Sequence, residues 1–194
     1  MARIRLSPTT WSTPIGERLA RQTATIAAAA PHLFTAVDLS PVQRRQPHFA
    51  ADLTAIFAAA RVDPRRIELE ITESILLEDG WAARDLTALR CAGFRIALDD
   101  FGTGYRSLSD LRRFAVDKIK IDRSFVLDVQ RDGDARAIVA AIVGVGQALE
   151  LTVSAEGIET REQADIMIAA GCTQLQSYLF GTPALPLAEG RHVG

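Results

Sequence analysis

Apolar runs rich in β-branched residues alternate with helical patterns six times along this chain, and that rhythm constrains the fold more than any single motif does. The runs end near residues 39, 71, 98, 121, 155 and 177, at intervals of 32, 27, 23, 34 and 22 residues. Each interval is the length of one strand and its return helix in a parallel sheet. Thr13 and Pro14 read as the cap and first position of a helix over about 14–29. HLFTAVDLS (32–40) then reads as a strand, and Phe49, Leu53, Ile56, Phe57 and Ala60 mark a helical face that Asp63 and Pro64 end. Strand IELEITE (67–73) is followed by a helix from Trp81 to Ala92, stopped by Gly93, and by strand FRIAL (94–98). A short helix near 106–113 leads to the strand DKIKID (117–122). The longest helix, about 134–149, is expected to turn Ile138, Ile142, Val145 and Leu149 to the core. LTVSAEGIE (151–159), a helix over 161–170 ending at Gly171, and strand TQLQSYLF (173–180) complete the pattern before a proline-punctuated tail.

Strands this apolar are covered on both faces, which an open doubly wound sheet and a βα barrel both achieve. The polar residues separate the two folds. Every strand carries one near its C-terminal end: Asp38, Glu70, Asp99 with Asp100, Lys120 with Asp122, Glu156, and Gln176. Convergence from all strands is the layout of a barrel with its site at the C-terminal mouth, whereas an open sheet concentrates its site at one switch point. The expected fold class is therefore α/β, a TIM-like (β/α) barrel.

Composition narrows the possible partners. With 194 residues, 48% hydrophobic, 24% charged and a net charge of −2, the chain has material for one core and no electrostatic footprint for a long nucleic acid. The longest apolar run, AIVAAIVGVGQAL (137–149), is too short to cross a bilayer, so no membrane span is expected. Cys91 and Cys172 lack paired spacing and read as reduced core residues, and a cytoplasmic location is the expectation.

Adjacent carboxylates such as Asp99 and Asp100 repel each other when partly buried, and a metal cation relieves that repulsion. Alone, the pair is better read as a solvated turn. Beside carboxylates from Asp38, Glu70 and Glu156 it becomes a donor set for one or two hard divalent ions, Mg²⁺ or Mn²⁺. The histidines, at 32, 48 and 192, lie away from the strand ends, which argues against zinc. Two such ions can activate water for in-line attack on phosphorus, so phosphodiester hydrolysis fits. Lys120, which shares strand parity with Lys118 and Asp122, could orient a nucleophile, assist proton transfer or offset phosphate charge; a structural neighbourhood with Asp122 is the competing reading. Glu73 and Glu159, three residues past Glu70 and Glu156, suit capping or loop bracing. Phe101 and Tyr105 suit loop packing.

The runs AVDLS, ELEITES, ALDDFGTGYRSLSDL, VDKIKIDRSFV, SAEGIET and GCTQLQSYLF, in this order, resemble the successive motifs of the EAL family of bacterial cyclic di-GMP phosphodiesterases. The resemblance implies a TIM-like barrel, cyclic di-GMP as ligand, and its hydrolysis to linear pGpG with Mg²⁺ or Mn²⁺. It assigns metal binding to Asp38, Glu70, Asp99, Asp100 and Glu156, catalysis to Lys120 and Glu156, bracing of the site to Gln176, and the holding of the DFGTG loop to Glu73. Asp38 stands where the family usually has Asn, and Ser177 where it usually has Gly.

The resemblance covers residues 13–185, between a non-family segment over 1–12 and a tail over 186–194. The family's N-terminal segment, with its Glu-Ala-Leu signature and following arginine, has no counterpart in these residues. The expectation is an incomplete barrel with about six of the usual eight strands, to which RIRL (3–6) adds at most a very short one. Two open edges predict a homodimer or association through those edges. The alternative function is a catalytically inactive module that binds cyclic di-GMP or a protein partner.

Overall fold

In the computed structural model, residues 2–4, 21–25, 34–39, 48–73, 81–102, 111, 114 and 116–176 are described. They build one parallel sheet from β1 (Ala2–Ile4), β2 (Thr35–Asp38), β3 (Ile67–Thr72), β4 (Arg95–Phe101), β5 (Lys118–Ile121), β6 (Thr152–Glu156) and β7 (Gln174–Gln176). Its spatial order is the sequence order, β1 through β7, with every neighbouring pair parallel. Right-handed crossovers that always step in the same direction leave all their helices on one side, as in a barrel wall. A doubly wound sheet requires the order to reverse, and here it does not. The fold is an incomplete TIM-like barrel, with β1 as the short extra strand beside β2.

The strands alternate cleanly. Val37, Leu69, Ile71, Ile96, Leu98, Ile119, Ile121, Val153 and Ala155 are all buried in the hydrophobic core. The intervening positions, Asp38, Glu68, Glu70, Asp99, Lys118, Lys120, Ser154 and Glu156, are polar and lie on the opposite face. The helices cover the apolar side: α1 (Phe49–Ala59), α2 (Trp81–Cys91), α3 (Arg123–Asp128), α4 (Gly133–Ala148) and α5 (Arg161–Ala170). In α1, Phe49, Leu53 and Phe57 face inward, and Phe57 meets Phe94 edge to face with ring centroids 5.5 Å apart. Helix α5 starts on a capping box, in which the Gln163 backbone N–H donates to the Thr160 hydroxyl and the Thr160 N–H donates to the Gln163 amide oxygen. It ends at Gly171, whose φ of 104° is left-handed.

Several expectations change. Strand β4 runs on to Phe101, so Asp99 and Asp100 lie within it rather than after it. Helix α3 follows Asp122, whose side chain caps it by accepting from the Ser124 N–H at 2.9 Å; its start is masked in the sequence because Asp122 also reads as a strand-end residue. In α4 the buried face is Ala135, Val139, Ile142, Val143 and Gly146, while Ile138 is 40% exposed. The close approach of Gly146 to β6 sets that rotation, since a Cβ there would overlap the Val153 side chain. Cys172 is buried as expected, and burial pushes its thiol up to about 11, but Cys91 is exposed on the outer side of α2. Of the helix expected over 14–29, residues 21–25 are helical and the rest lies outside the described residues. The helix near 106–113, apart from helical Leu111, also lies outside them, as do Tyr105 and Ser177.

The packing of α4 on β6 is directly testable. Gly146→Ala is expected to lower stability by about 1–3 kcal/mol through overpacking, of which a helix-propensity gain of roughly 1 kcal/mol offsets only part. Gly144, two residues away, is the control, because a methyl added there would meet nothing within 4 Å. Gly144→Ala is expected to raise the melting temperature, and denaturant unfolding of the two variants separates packing from propensity.

Candidate functional site

A distortion in β4 shapes the polar mouth of the sheet. Ala97 pairs with Lys118 and Leu98 with Ile119, but the next pair is Phe101 with Ile121, so Asp99 and Asp100 together oppose the single residue Lys120. This is a β-bulge, and Asp100 takes it up with a left-handed φ of 54°. Its consequence is a change of facing: Asp99 stays on the polar side, Asp100 is exposed at the mouth, and Phe101 is turned into the core. A non-glycine residue held left-handed is a local cost that surrounding structure must sustain, and such outliers cluster at functional sites.

Around the bulge the strand ends converge. Asp38, Glu70 and Asp99, from three adjacent strands, each bring a carboxylate oxygen within 4.8 Å of the others. Lys120 Nζ, 1% exposed, lies 2.7 Å from Glu70 Oε1, 3.0 Å from Asp99 Oδ1 and 2.5 Å from Glu156 Oε1. Burial alone pulls the Lys120 ammonium down, but the charges of Glu70, Glu156 and Asp99 outweigh it and hold its pKa above the usual lysine value. Asp100 shows the opposite stress. Burial, then the charges of Asp99 and Asp122, a hydrogen bond with Asp122, and the charge of Glu156 push its carboxyl up to about 6. Asp122 is held low despite its own desolvation, because the Ser124 hydroxyl and backbone N–H donate to it.

Three carboxylates, those of Glu70, Asp99 and Glu156, thus contact one lysine, with Asp38 beside Glu70 and Asp99, and Asp100 close to Asp99 and Asp122. The donor set is all oxygen, clustered and short of positive charge, which fits hard divalent cations. The described residues hold no histidine in this cluster, consistent with oxygen-preferring ions.

Loop contacts keep the mouth in shape. The Gly102 N–H donates to Glu73 Oε1 at 3.0 Å, tying the end of β4 to the end of β3. Glu159 pairs with Arg123 at 2.5 Å, and the Arg123 stem lies over Gly157 so closely that any side chain there would collide with it. Gly157, at φ 69°, is therefore both the turn that follows Glu156 and the seat for Arg123. Gln176 is half-buried and pairs in register with Glu156 across β6 and β7. Sequence reasoning misses the Asp100–Asp122 contact and the Arg123 clamp; the signal for both is the Asp-Arg-Ser helix start, which marks a cap immediately after a strand.

Comparison with known proteins gives one family. The family model of the EAL domain matches residues 12–183. An uncharacterized signaling protein of Caulobacter vibrioides is 46% identical over 167 residues, covering 86% of this chain and 21% of that one. The bifunctional diguanylate cyclase/cyclic di-GMP phosphodiesterase MucR of Pseudomonas aeruginosa is 38% identical over 149 residues, covering 76% and 22%. This chain spans about a fifth of the length of the curated relatives it matches. Among solved structures, a PaMucR phosphodiesterase in complex with c-di-GMP superposes with a TM-score of 0.81 at 34% identity, covering 89% of this chain and 70% of that one. A manganese/cy-diGMP complex of BlrP1 from Klebsiella pneumoniae superposes with a TM-score of 0.76 at 33% identity, covering 86% and 43%. With six ordered motifs, a singly wound parallel sheet and a family model matching most of its length, this chain belongs to the EAL domain family.

Proposed function

We propose that this chain is a metal-dependent phosphodiesterase domain that hydrolyses cyclic di-GMP to linear pGpG, with Mg²⁺ or Mn²⁺. The observation that carries the reading is the meeting of Asp38, Glu70 and Asp99 carboxylates within 4.8 Å, beside a buried lysine, at the strand ends of an EAL domain. Relatives and neighbours described as phosphodiesterases or cyclic di-GMP complexes support the substrate, and manganese and calcium complexes among them support a divalent ion.

In this reading Asp38, Glu70, Asp99, Asp100 and Glu156 hold the ions. When bound, these would lower the pKa of a water and neutralise charge on the phosphate. The remaining steps belong to the chain's own groups. Lys120 supplies fixed positive charge beside the carboxylates, where charge builds on phosphorus oxygens during attack. Glu156 orients the attacking water and receives its proton. Water oxygen bonds to phosphorus, one P–O bond to ribose breaks, and the leaving oxygen takes a proton. Glu73, through Gly102, and Gln176, beside Glu156, steady the two sides of the mouth.

The test is incubation of the pure chain with cyclic di-GMP and Mn²⁺ or Mg²⁺, following linear product by chromatography, with binding measured in Ca²⁺ in parallel. Product formation is the expected result. Binding without product would replace this reading by the inactive ligand-binding module, and neither would reject both.

The same reading includes self-association. Among the described residues β1 and β7 each pair on one side only, and exposed strand edges template pairing with another chain. Sedimentation velocity of the whole chain is expected to show a dimer, and a monomer at all micromolar concentrations would contradict it. No helix among the described residues is long and apolar enough to cross a membrane.

A further inference from the structure

Below the ring of strand-end carboxylates lies a second buried ion pair that the proposed chemistry does not use. Lys118 Nζ is 2.5 Å from Glu68 Oε2, and the two residues are 7% and 4% exposed. Lys118 is two residues before Lys120 on β5, and Glu68 two before Glu70 on β3, so the pairs form two rungs of one ladder. The ladder spans non-adjacent strands. Between them runs β4, and at this level β4 presents Ala97, whose small side chain leaves room for both rungs.

Register makes the lower rung consequential. Glu70 pairs with Ala97 and Ala97 with Lys118, so the glutamate level with Lys118 across the sheet is Glu70, not Glu68. Each lysine instead reaches one step down the neighbouring ladder, Lys118 to Glu68 and Lys120 to Glu70. Glu68 is the sole charged partner of Lys118 among the described residues. A buried ammonium deprived of its carboxylate takes the nearest other one, because an unpaired buried charge is far more costly than a shared partner. For Lys118 that partner is Glu70.

We propose that Glu68 and Lys118 are positioning residues for the metal site. Glu68 engages Lys118 and so leaves Glu70 facing Asp38 and Asp99; Lys118 engages Glu68 and so leaves Lys120 among the mouth carboxylates. The inference rests on the metal-site reading above and adds a sign to it. Removing the Glu68 charge brings a second cation onto Glu70 and weakens divalent-ion binding. Removing the Lys118 charge brings a surplus anion that draws Lys120 down, which strips positive charge from the mouth and tightens ion binding. A pair that served packing alone would lower stability in both variants and leave ion affinity unchanged.

The experiment is Mn²⁺ titration of the whole chain, read by loss of the free-ion electron paramagnetic resonance signal, well below the melting temperature of each variant. Glu68→Gln is expected to raise the Mn²⁺ Kd roughly tenfold and Lys118→Met to lower it several-fold, within the range of ordinary coupling between sites. The double variant Glu68→Leu/Lys118→Met, which removes both charges, is expected to return Kd to within about threefold of the parent. If one single variant does not fold, the sign of the other and the recovery in the double still decide. Equal weakening in both singles, or no change in either, overturns the inference while leaving the metal site standing. A parent chain that takes up no Mn²⁺ overturns the metal-site reading and this inference together.

Discussion

Asp99→Asn is expected to abolish release of linear pGpG, with kcat lower by roughly 10²–10³ or more, the scale of removing one fixed electrostatic contact to a reacting centre. Asp99 is shared among several groups of the site. Asp99 belongs to the three-strand cluster with Asp38 and Glu70, lies 3.0 Å from Lys120, and adds its charge to the stress on Asp100. Asparagine preserves its shape and keeps the Oδ1 that accepts the Asp100 N–H at 3.1 Å, so the bulge is retained while the charge is lost. Chromatography of product at saturating Mn²⁺, together with a Mn²⁺ titration, separates the two effects: affinity falls and turnover falls further. A variant that keeps turnover within about threefold of the parent would remove Asp99 from the chemistry.

Lys120→Met is expected to be the most destabilising single change in the site when no divalent ion is added. Lys120 contacts Glu70, Asp99 and Glu156 at once, and methionine leaves those charges to repel one another in a buried setting. Removing one partner of a buried ion pair costs about 3–5 kcal/mol, which for a domain of this size lowers Tm by roughly 6–20 °C. Added Mn²⁺ should recover most of that loss, because the ion supplies the missing positive charge, whereas hydrolysis should not recover. Thermal melts with and without Mn²⁺ provide the check. Equal melting temperatures for Lys120→Met and the parent without metal would show that the carboxylates do not need this cation.

The order of strands and helices was legible along the chain because short runs rich in β-branched residues alternate with stretches of helical spacing, and helices end where Gly93 and Gly171 permit a left-handed turn. The placement of Asp38, Glu70, Asp99, Lys120, Glu156 and Gln176 at strand ends was legible for a related reason: a polar residue closing an apolar strand has no packing role. Features decided by contact between distant segments were not legible. Ile138 has helical spacing suited to a core face, yet Gly146 seats α4 on Val153 and turns Ile138 outward. Cys91 has an ordinary helical context, yet at the end of α2 it is exposed. Helix α3 was hidden because Asp122 satisfies two descriptions at once, a strand-end carboxylate and a helix cap.

The sequence by itself determined the parallel βα architecture, the family, and which residues stand at the mouth, since all three follow from periodicity, punctuation and motif order along the chain. Only the tertiary structure decided how those residues face one another. The bulge that sets Asp99 and Asp100 against one Lys120 depends on the register of β4 with β5, and the lower pair of Glu68 and Lys118 depends on Ala97 leaving space between strands that are not neighbours. Register and cross-sheet distance are properties of three packed strands, and no local stretch of the chain encodes them.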